Sequence, residues 1–166
     1  MADFRFDRNI MSTNNSINRQ GAIPLFFAYQ NGDVTNVTGD GTVYTTICNT
    51  EVVDSTGSYN TGTGQFTAPY TGYYQLNFGV TVYTDSTTTT LLSLIDVNGQ
   101  VYNGKTNYGC TGTIDHSTFL STVVYAAATN VISFQVKVSD TTKKTTCRGQ
   151  AAGSGYVTYV SGWYLS

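Results

Sequence analysis

Apolar and polar residues alternate strictly along several stretches of this chain. The clearest stretch runs from residue 73 to residue 82. Its alternate positions form an apolar set: Tyr74, Leu76, Phe78, Val80 and Val82. Residues 132–138 alternate in the same way. Because successive side chains of a β-strand point to opposite faces, this period of two predicts strands with one face in a core and one face toward solvent.

Turn signals separate the apolar runs. The pair Asn98-Gly99 follows the run 91–97 and is the strongest short-range signal for a β-hairpin. Further candidate strands cover residues 22–29, 42–48, 64–68, 101–102, 118–125 and 156–165. About ten short strands at intervals of roughly 8–15 residues, with no credible helix, predict an all-β sandwich, jelly roll or barrel.

The final predicted strand carries bulky groups on both faces. Tyr156, Val160 and Tyr164 lie on one face, while Tyr159 and Trp163 lie on the other. A sandwich strand normally needs only one apolar face, so the second must pack on another sheet or another subunit. We therefore expect a subunit interface that contains Tyr156, Tyr159, Trp163 and Tyr164.

The first 21 residues differ from the rest and are interpreted as an arm that precedes a single domain at 22–166. The arm holds three of the four arginines and only scattered apolar residues. Phe4 and Phe6 alternate with Arg5, which is the pattern of a short extended segment that docks on an edge or in a groove. We expect Phe4, Arg5 and Phe6 to anchor the chain to a partner. The arm has no apolar segment of the kind found in secretory signal peptides, so we expect a protein that is made without a signal peptide.

The composition excludes several classes of protein. Charged residues make up 11% of the chain, aromatic residues 13%, and 29 residues are threonine. A helical bundle or coiled coil needs far more charge, and a nucleic-acid binder would not have a net charge of −2. The aromatic content also argues against intrinsic disorder.

Catalytic chemistry has few residues available. The chain has one histidine and one glutamate. Asp115, His116 and Ser117 have the residue types of a nucleophilic triad, but neighbours on a strand face opposite ways and cannot form a relay. His116 is therefore expected at the surface, and no enzymatic activity is expected. No cofactor is expected either; calcium bound where subunits meet stays as an alternative.

The polar loops contain the candidate ligand contacts. These are Asp85, Asp140, Lys143, Lys144 and Arg148, of which the last three form the one basic cluster. We expect contact with an anionic surface glycan or a protein rather than with nucleic acid. The three cysteines leave two alternatives open: three reduced thiols, or a loop disulfide between Cys110 and Cys147.

Residues 54–74 carry a specific motif, DSTGSYNTGTGQFTAPYTGYY. It resembles the signature of the complement component one-q globular-head family, in which Tyr-Asn precedes Thr-Gly-x-Phe-Thr-x-Pro and a later Gly-x-Tyr. Residues 26–29, 94–99 and 161–165 resemble the first strand, the mid-domain hairpin and the closing strand of that family. The resemblance covers about residues 22–166.

The resemblance implies a ten-stranded antiparallel jelly-roll sandwich, shared with tumour necrosis factor, that assembles as a homotrimer. Animal members carry a signal peptide and usually a collagen stalk, whereas the arm here is short and rich in asparagine. A Thr- and Asn-rich domain of this kind looks like those on bacteriophage or large-virus particles. The prediction is a non-enzymatic module on a virion surface, attached by its arm to other virion proteins, that binds host-surface glycan or protein. Two alternatives remain: a structural capsid or tail component without a ligand, and a bacterial lectin-like module.

Overall fold

The computed structural model of the chain describes residues 23–84, 88–110, 114–139, 142–151 and 155–166. These residues form thirteen β-strands and no helix. The strands are β1 (Leu25–Tyr29), β2 (Val34–Thr38), β3 (Asp40–Thr45), β4 (Thr50–Asp54), β5 (Tyr59–Asn60), β6 (Gln65–Thr67), β7 (Gly72–Thr84), β8 (Thr88–Val97), β9 (Gln100–Cys110), β10 (Ile114–Ala126), β11 (Val131–Ser139), β12 (Thr145–Cys147) and β13 (Tyr159–Tyr164). None of the described residues forms a helix long and apolar enough to cross a membrane.

The larger of the two sheets has seven strands, with β7 at its centre. Strand β10 pairs with β7 along its whole length and forms one edge of this sheet. On the other side, β7 pairs with β13 and, near its end, with β12. The sheet continues from β13 through β1 to β4, and from β12 to β2. All these pairings are antiparallel.

The second sheet has five antiparallel strands in the order β5-β6-β11-β8-β9. It faces the seven-stranded sheet across the core. Phe26 of β1 stacks on Phe66 of β6, with ring centroids 4.4 Å apart, and Phe78 of β7 meets Phe134 of β11 edge to face at 5.8 Å. Contacts of this kind between rings from opposite sheets show that the alternating apolar positions of both sheets supply one core.

The predicted core face of β7 is confirmed. Its five apolar positions are at most 1% exposed, while Gln75 and Asn77 on the other face are half-buried. The predicted hairpin is also confirmed, since Val97 pairs with Gln100 across Asn98-Gly99. Both turn residues have positive φ angles, 49° and 94°, as a tight hairpin turn of this kind requires.

Four strands were not predicted, and β9 is much longer than predicted. Strands β2, β4 and β12 are short and rich in threonine, valine or charge, and β5 has only two residues, so none of the four shows an alternating apolar face. Strand β9 continues past Asn103-Gly104, where a chain turn was expected. Gly104 lies opposite Ser93 in the ladder, and a Cβ atom there would lie 2.9 Å from the Ser93 hydroxyl oxygen. This glycine allows close packing between strands instead of a turn.

The prediction for the final strand is only partly right. Strand β13 begins at Tyr159, so Tyr156 precedes it. Val160 and Gly162 face the core, where a Cβ atom on Gly162 would collide with Leu76 and Phe26. The predicted arm, with Phe4, Arg5 and Phe6, lies outside the described residues.

Candidate functional site

The outer surface of the seven-stranded sheet is unusually apolar for an exposed surface. We call it the aromatic face. Its exposed or half-buried apolar side chains come from β1, β7, β10 and β13 and the segment before β13: Leu25, Phe27, Tyr29, Tyr73, Phe119, Val123, Tyr125, Tyr156, Tyr159 and Trp163. The alternation of each strand explains the face, because the residues between these positions fill the core. Exposed apolar side chains concentrated on one face in this way are typical of an interaction site.

The rings of the aromatic face form two groups at opposite ends of the sheet. Near the end of β1, Tyr156 packs on Tyr29 and Phe27, with ring centroids 4.6 Å and 5.2 Å apart. At the other end, Tyr73 and Tyr125 meet edge to face at 5.4 Å. Both groups remain substantially exposed, with 56% of Tyr125 and 45% of Tyr156 accessible to solvent.

Four polar side chains separate the two groups. We call them the polar strip: Gln75 and Asn77 on β7, Ser121 on β10 and Ser161 on β13. Gln75 Nε2 donates a hydrogen bond to Ser121 Oγ at 2.9 Å, and Ser121 Oγ donates to Asn77 Oδ1 at 2.8 Å. Asn77 Nδ2 donates to Ser161 Oγ at 3.3 Å. The strip is therefore a connected chain of hydrogen bonds across three strands.

A groove of about 390 Å³ lies beside the polar strip, between Phe119 and the rings of Tyr156 and Tyr159. Its floor includes Gly79, and a Cβ atom there would lie 2.6 Å from the Tyr159 ring. The absence of a side chain at residue 79 therefore lets Tyr159 lie flat across β7. The groove is an apolar depression within the aromatic face.

The four residues predicted at a subunit interface do not all share one surface. Tyr156, Tyr159 and Trp163 lie on the aromatic face, where Trp163 is 40% exposed. Tyr164 points to the core side instead, where its ring meets Tyr74 edge to face at 5.2 Å. Its hydroxyl donates to the carbonyl of Thr71. The strand alternation that puts Trp163 outside puts Tyr164 inside.

Sequence reasoning missed most of the aromatic face. Tyr73 lies on the face of its strand that was predicted to meet solvent, and Phe27, Tyr29, Phe119 and Tyr125 were predicted only as parts of strands. The available signal was the number of aromatic residues at the outward positions of β1, β7 and β10. Only the strand pairing shows that these positions share one surface.

One edge of the sandwich adjoins the aromatic face. Strands β10 and β9 are the edge strands of the two sheets. They lie against each other, so that Phe119, Val123 and Tyr125 on β10 border both the face and this edge. Each chain therefore presents two adjoining but different surfaces to a neighbour.

Arg148, one of the predicted ligand contacts, is held by other residues of the chain. Its Nη1 lies 2.7 Å from Asp33 Oδ2 and its Nε lies 2.8 Å from Asp115 Oδ1. The guanidinium carbon lies 4.4 Å from the ring centroid of Tyr83. The hydrogen bonds to Asp115 and Asp33 raise the pKa of Arg148. This arginine joins β7, β10 and the residue before β2 rather than offering a free charge.

The carboxylate of Asp33 has a lowered pKa. Partial burial by itself raises the pKa of Asp33. The hydrogen bonds donated by the backbone N–H of Gly149 and the side chain of Arg148 together lower it by more, so the net shift is downward. Lys143 and Lys144, by contrast, are exposed and precede β12. Asp85 and Asp140 lie outside the described residues.

His116 is buried, not exposed as predicted. Only 5% of its surface is accessible, because β10 alternation turns it toward the core while Asp115 and Ser117 face outward. His116 therefore points to the face opposite to that of Asp115 and Ser117, as expected. Among the described residues, no three His, Cys, Asp or Glu side chains are grouped so that they could hold a metal ion.

The described cysteines are free thiols. Cys48 and Cys147 are both fully buried, and Cys147 is unpaired, so the alternative disulfide with Cys110 is not formed. Burial raises the pKa of Cys147 to about 12 and that of Cys48 further. Both thiols are therefore protonated at neutral pH and behave as core residues.

Comparison with known proteins identifies the fold. The sequence profile of the family described as the C1q domain matches residues 26–124. No curated protein sequence matches the chain. The structure is similar to the globular domain of zebrafish complement 1qA protein, with a TM-score of 0.56 and 11% identity over 87% of this chain and 98% of that one.

A second similar structure is that of murine APRIL at pH 8.5, with a TM-score of 0.54 and 11% identity over 86% of this chain and 99% of that one. Identities this low show a common fold and no more. Together with the antiparallel sandwich, these comparisons confirm the predicted jelly roll of the C1q and tumour-necrosis-factor type.

Proposed function

We propose that this chain, which belongs to the C1q domain family, is a non-enzymatic binding module that works as a homotrimer joined through the aromatic face. Domains of this family are generally binding modules and typically form trimers. The observation that supports the proposal in this chain is the aromatic face itself. Several of its rings are substantially exposed, as is typical of an interaction surface.

We propose that the copies form a closed ring. The aromatic face and the β9–β10 edge are different surfaces, so a contact between them would join neighbouring copies head to tail. Such contacts close into a ring when the rotation between neighbours permits it.

Solution mass tests this assembly directly. Size-exclusion chromatography with light scattering should give three times the chain mass at micromolar concentration. Trp163→Glu should shift the mass toward that of a monomer, because a carboxylate would be desolvated at the centre of the interface. Val43→Glu is the matched control, since Val43 is 50% exposed on β3, beyond the five-stranded sheet. A monomeric wild-type chain, or equal effects of both substitutions, would contradict the proposal.

For the biological setting, we propose a module on a virion surface that binds host-surface glycan or protein. Two features support this setting: a chain rich in threonine and asparagine, and an arm whose Phe4, Arg5 and Phe6 alternate as a docking segment would. The exposed Lys143 and Lys144 are the candidate contacts for an anionic glycan.

Binding of the purified trimer to a glycan array tests this finer proposal. Sialylated or sulfated glycans should bind, and Lys143→Glu with Lys144→Glu should abolish that binding while the trimer mass stays unchanged. Lys137→Glu serves as the control, because Lys137 is half-buried within β11. Absence of any glycan or cell-surface binding would favour a structural role without a ligand.

A further inference from the structure

The motif at residues 54–74 builds an open pocket of about 550 Å³. Most of the lining comes from residues 57–61, between β4 and β6, and from residues 67–69, at the end of β6. Thr129, in the loop between β10 and β11, completes it. Small-ligand sites in proteins have volumes of about 300–1,000 Å³, so this pocket is large enough to hold a ligand.

The pocket is separate from the surfaces discussed above. It shares no lining residue with the aromatic face, and it borders β5, the edge strand opposite to β9 in the five-stranded sheet. Pro69 lies just before the start of β7, whereas Lys143 and Lys144 precede β12, which pairs with the far end of β7. The length of β7 places the pocket and the lysines about 40 Å apart.

The described lining residues supply hydroxyl groups and no charged side chain. The hydroxyl groups belong to Ser58, Thr61, Thr67 and Thr129, together with Tyr59. Within the described chain, the hydroxyls of Thr61, Thr67 and Thr129 form no hydrogen bond with another residue. Each of these three can therefore donate to a ligand and accept from it.

Asn60 adds an amide group to the lining. Its Oδ1 accepts hydrogen bonds from the backbone N–H groups of Gly62 and Thr63, at 2.9 Å and 3.2 Å. These bonds fix the side chain and leave its Nδ2 group as a donor. A mainly polar, uncharged lining gives an ionic ligand no partner and suits a neutral ligand that carries many hydroxyl groups.

Thr129 is held in a strained backbone conformation beside the pocket. Its φ angle is 73°, and the other non-glycine residues with positive φ in the described chain are asparagines, Asn36 and Asn98. A β-branched residue is an outlier in this region. The Thr129 N–H donates to the Ala68 carbonyl at 2.8 Å, and the Ala68 N–H donates to the Asn130 carbonyl at 2.9 Å. Strain that the surrounding structure imposes in this way is concentrated at functional sites.

From these observations we propose that the pocket binds an uncharged saccharide unit, with the side chains of Asn60, Thr67 and Thr129 among its contacts. Sugar hydroxyls both donate and accept hydrogen bonds, so they match the threonine hydroxyls and the Asn60 amide. Glycine would adopt the backbone conformation of residue 129 without steric cost, so the turn itself does not require a threonine side chain. The inference depends neither on the proposed assembly nor on the lysine contact with an anionic glycan.

Ligand-observed NMR with the full chain tests the site. Glucose, galactose, mannose and N-acetylglucosamine, each at millimolar concentration, are the probes, and we expect saturation transfer to at least one of them. Thr129→Gly should weaken that binding about tenfold, as expected for loss of one hydrogen-bonded contact. It should not lower the melting temperature, because glycine accepts a positive φ. Asn98→Gly is the matched control: its φ is also positive, at 49°, but it lies in the β8–β9 turn and should leave sugar binding unchanged.

A second variant keeps the test decisive. Thr67→Val removes a hydroxyl while keeping a β-branched side chain on β6, and it should also weaken sugar binding; Thr35→Val, exposed on β2, is its control. Binding of none of the four sugars, or unchanged binding in both Thr129→Gly and Thr67→Val, would overturn the proposal. Binding of charged glycans only, lost in the variant that combines Lys143→Glu with Lys144→Glu, would support the lysine contact and overturn the role of the pocket.

Discussion

At the scale of single residues, Arg148 shows how one side chain joins distant parts of the fold. It bonds Asp33 before β2 and Asp115 on β10, and it stacks on Tyr83 of β7. About a third of its side chain is exposed, so solvent weakens both ion pairs. Its role is to hold the β2–β12 end of the sheet to the edge strand β10.

The lowered pKa of Asp33 makes this contribution dependent on pH. A carboxylate with a lowered folded-state pKa stabilises the fold above its ordinary pKa, and the contribution is lost as the pH falls through the lowered value. Arg148→Met should lower the free energy of unfolding by about 1 kcal/mol at neutral pH and by less in acid, below the ordinary aspartate pKa of about 3.9. Urea unfolding at both pH values measures this difference.

Lys144→Met provides the control for that measurement, since Lys144 is exposed in the loop before β12. Its effect should stay within about 0.5 kcal/mol at either pH. If Arg148→Met were equally destabilising at both pH values, packing of the side-chain stem and ring stacking would explain its role better than the carboxylates.

At the scale of elements, the β8–β9 hairpin depends on the backbone geometry of its turn. Asn98 and Gly99 both have positive φ angles, and the Gly99 N–H donates to Asp96 Oδ1 at 2.7 Å. Asparagine tolerates this conformation, whereas glycine adopts it without a steric cost. The turn thereby sets the register of two long strands.

Gly99→Ala should therefore cost about 1–2 kcal/mol of stability, although no atom lies within 4 Å of the added methyl group. Gly155→Ala is the matched control. Its added methyl group also meets nothing within 4 Å, and Gly155 is not among the positive-φ residues. Thermal unfolding of the two variants should separate them by several degrees. Similar melting temperatures would show that the turn carries no such strain.

At the scale of the whole molecule, the remaining question is the role of residues 1–21. The described chain enters the fold at the start of β1, where Leu25 pairs with Trp163 on the aromatic face. Residues 1–22 lie outside the described part of the chain. A domain boundary near residue 21 stays a prediction from the sequence.

Deletion of residues 2–21 should leave a folded trimer and abolish incorporation into the parent particle. The reason is that the predicted strands begin at residue 22, while Phe4 and Phe6 form a candidate docking segment. Light scattering reports the trimer, and immunolabelling of purified particles reports incorporation. Loss of the fold would show that the domain begins before residue 21. Unchanged incorporation of the truncated chain would exclude an anchoring role for residues 1–21.

The sequence by itself determined the features that depend on neighbouring residues. Alternation at 74–82 identified the core face of β7, Asn98-Gly99 identified the hairpin, and the motif at 54–74 identified the family. Each of these signals spans a few residues, because strand periodicity and turn geometry are local properties of the backbone.

Only the tertiary structure decided which residues meet across strands. Arg148 and Asp33 are 115 positions apart, and Asn77 and Ser161 are 84 apart. The burial of His116 also follows from the pairing of β10 with β7, which a sequence pattern of mixed polar and apolar residues did not reveal. Contacts of this kind depend on strand order and register, and a shift of one residue turns every side chain of a strand to the opposite face.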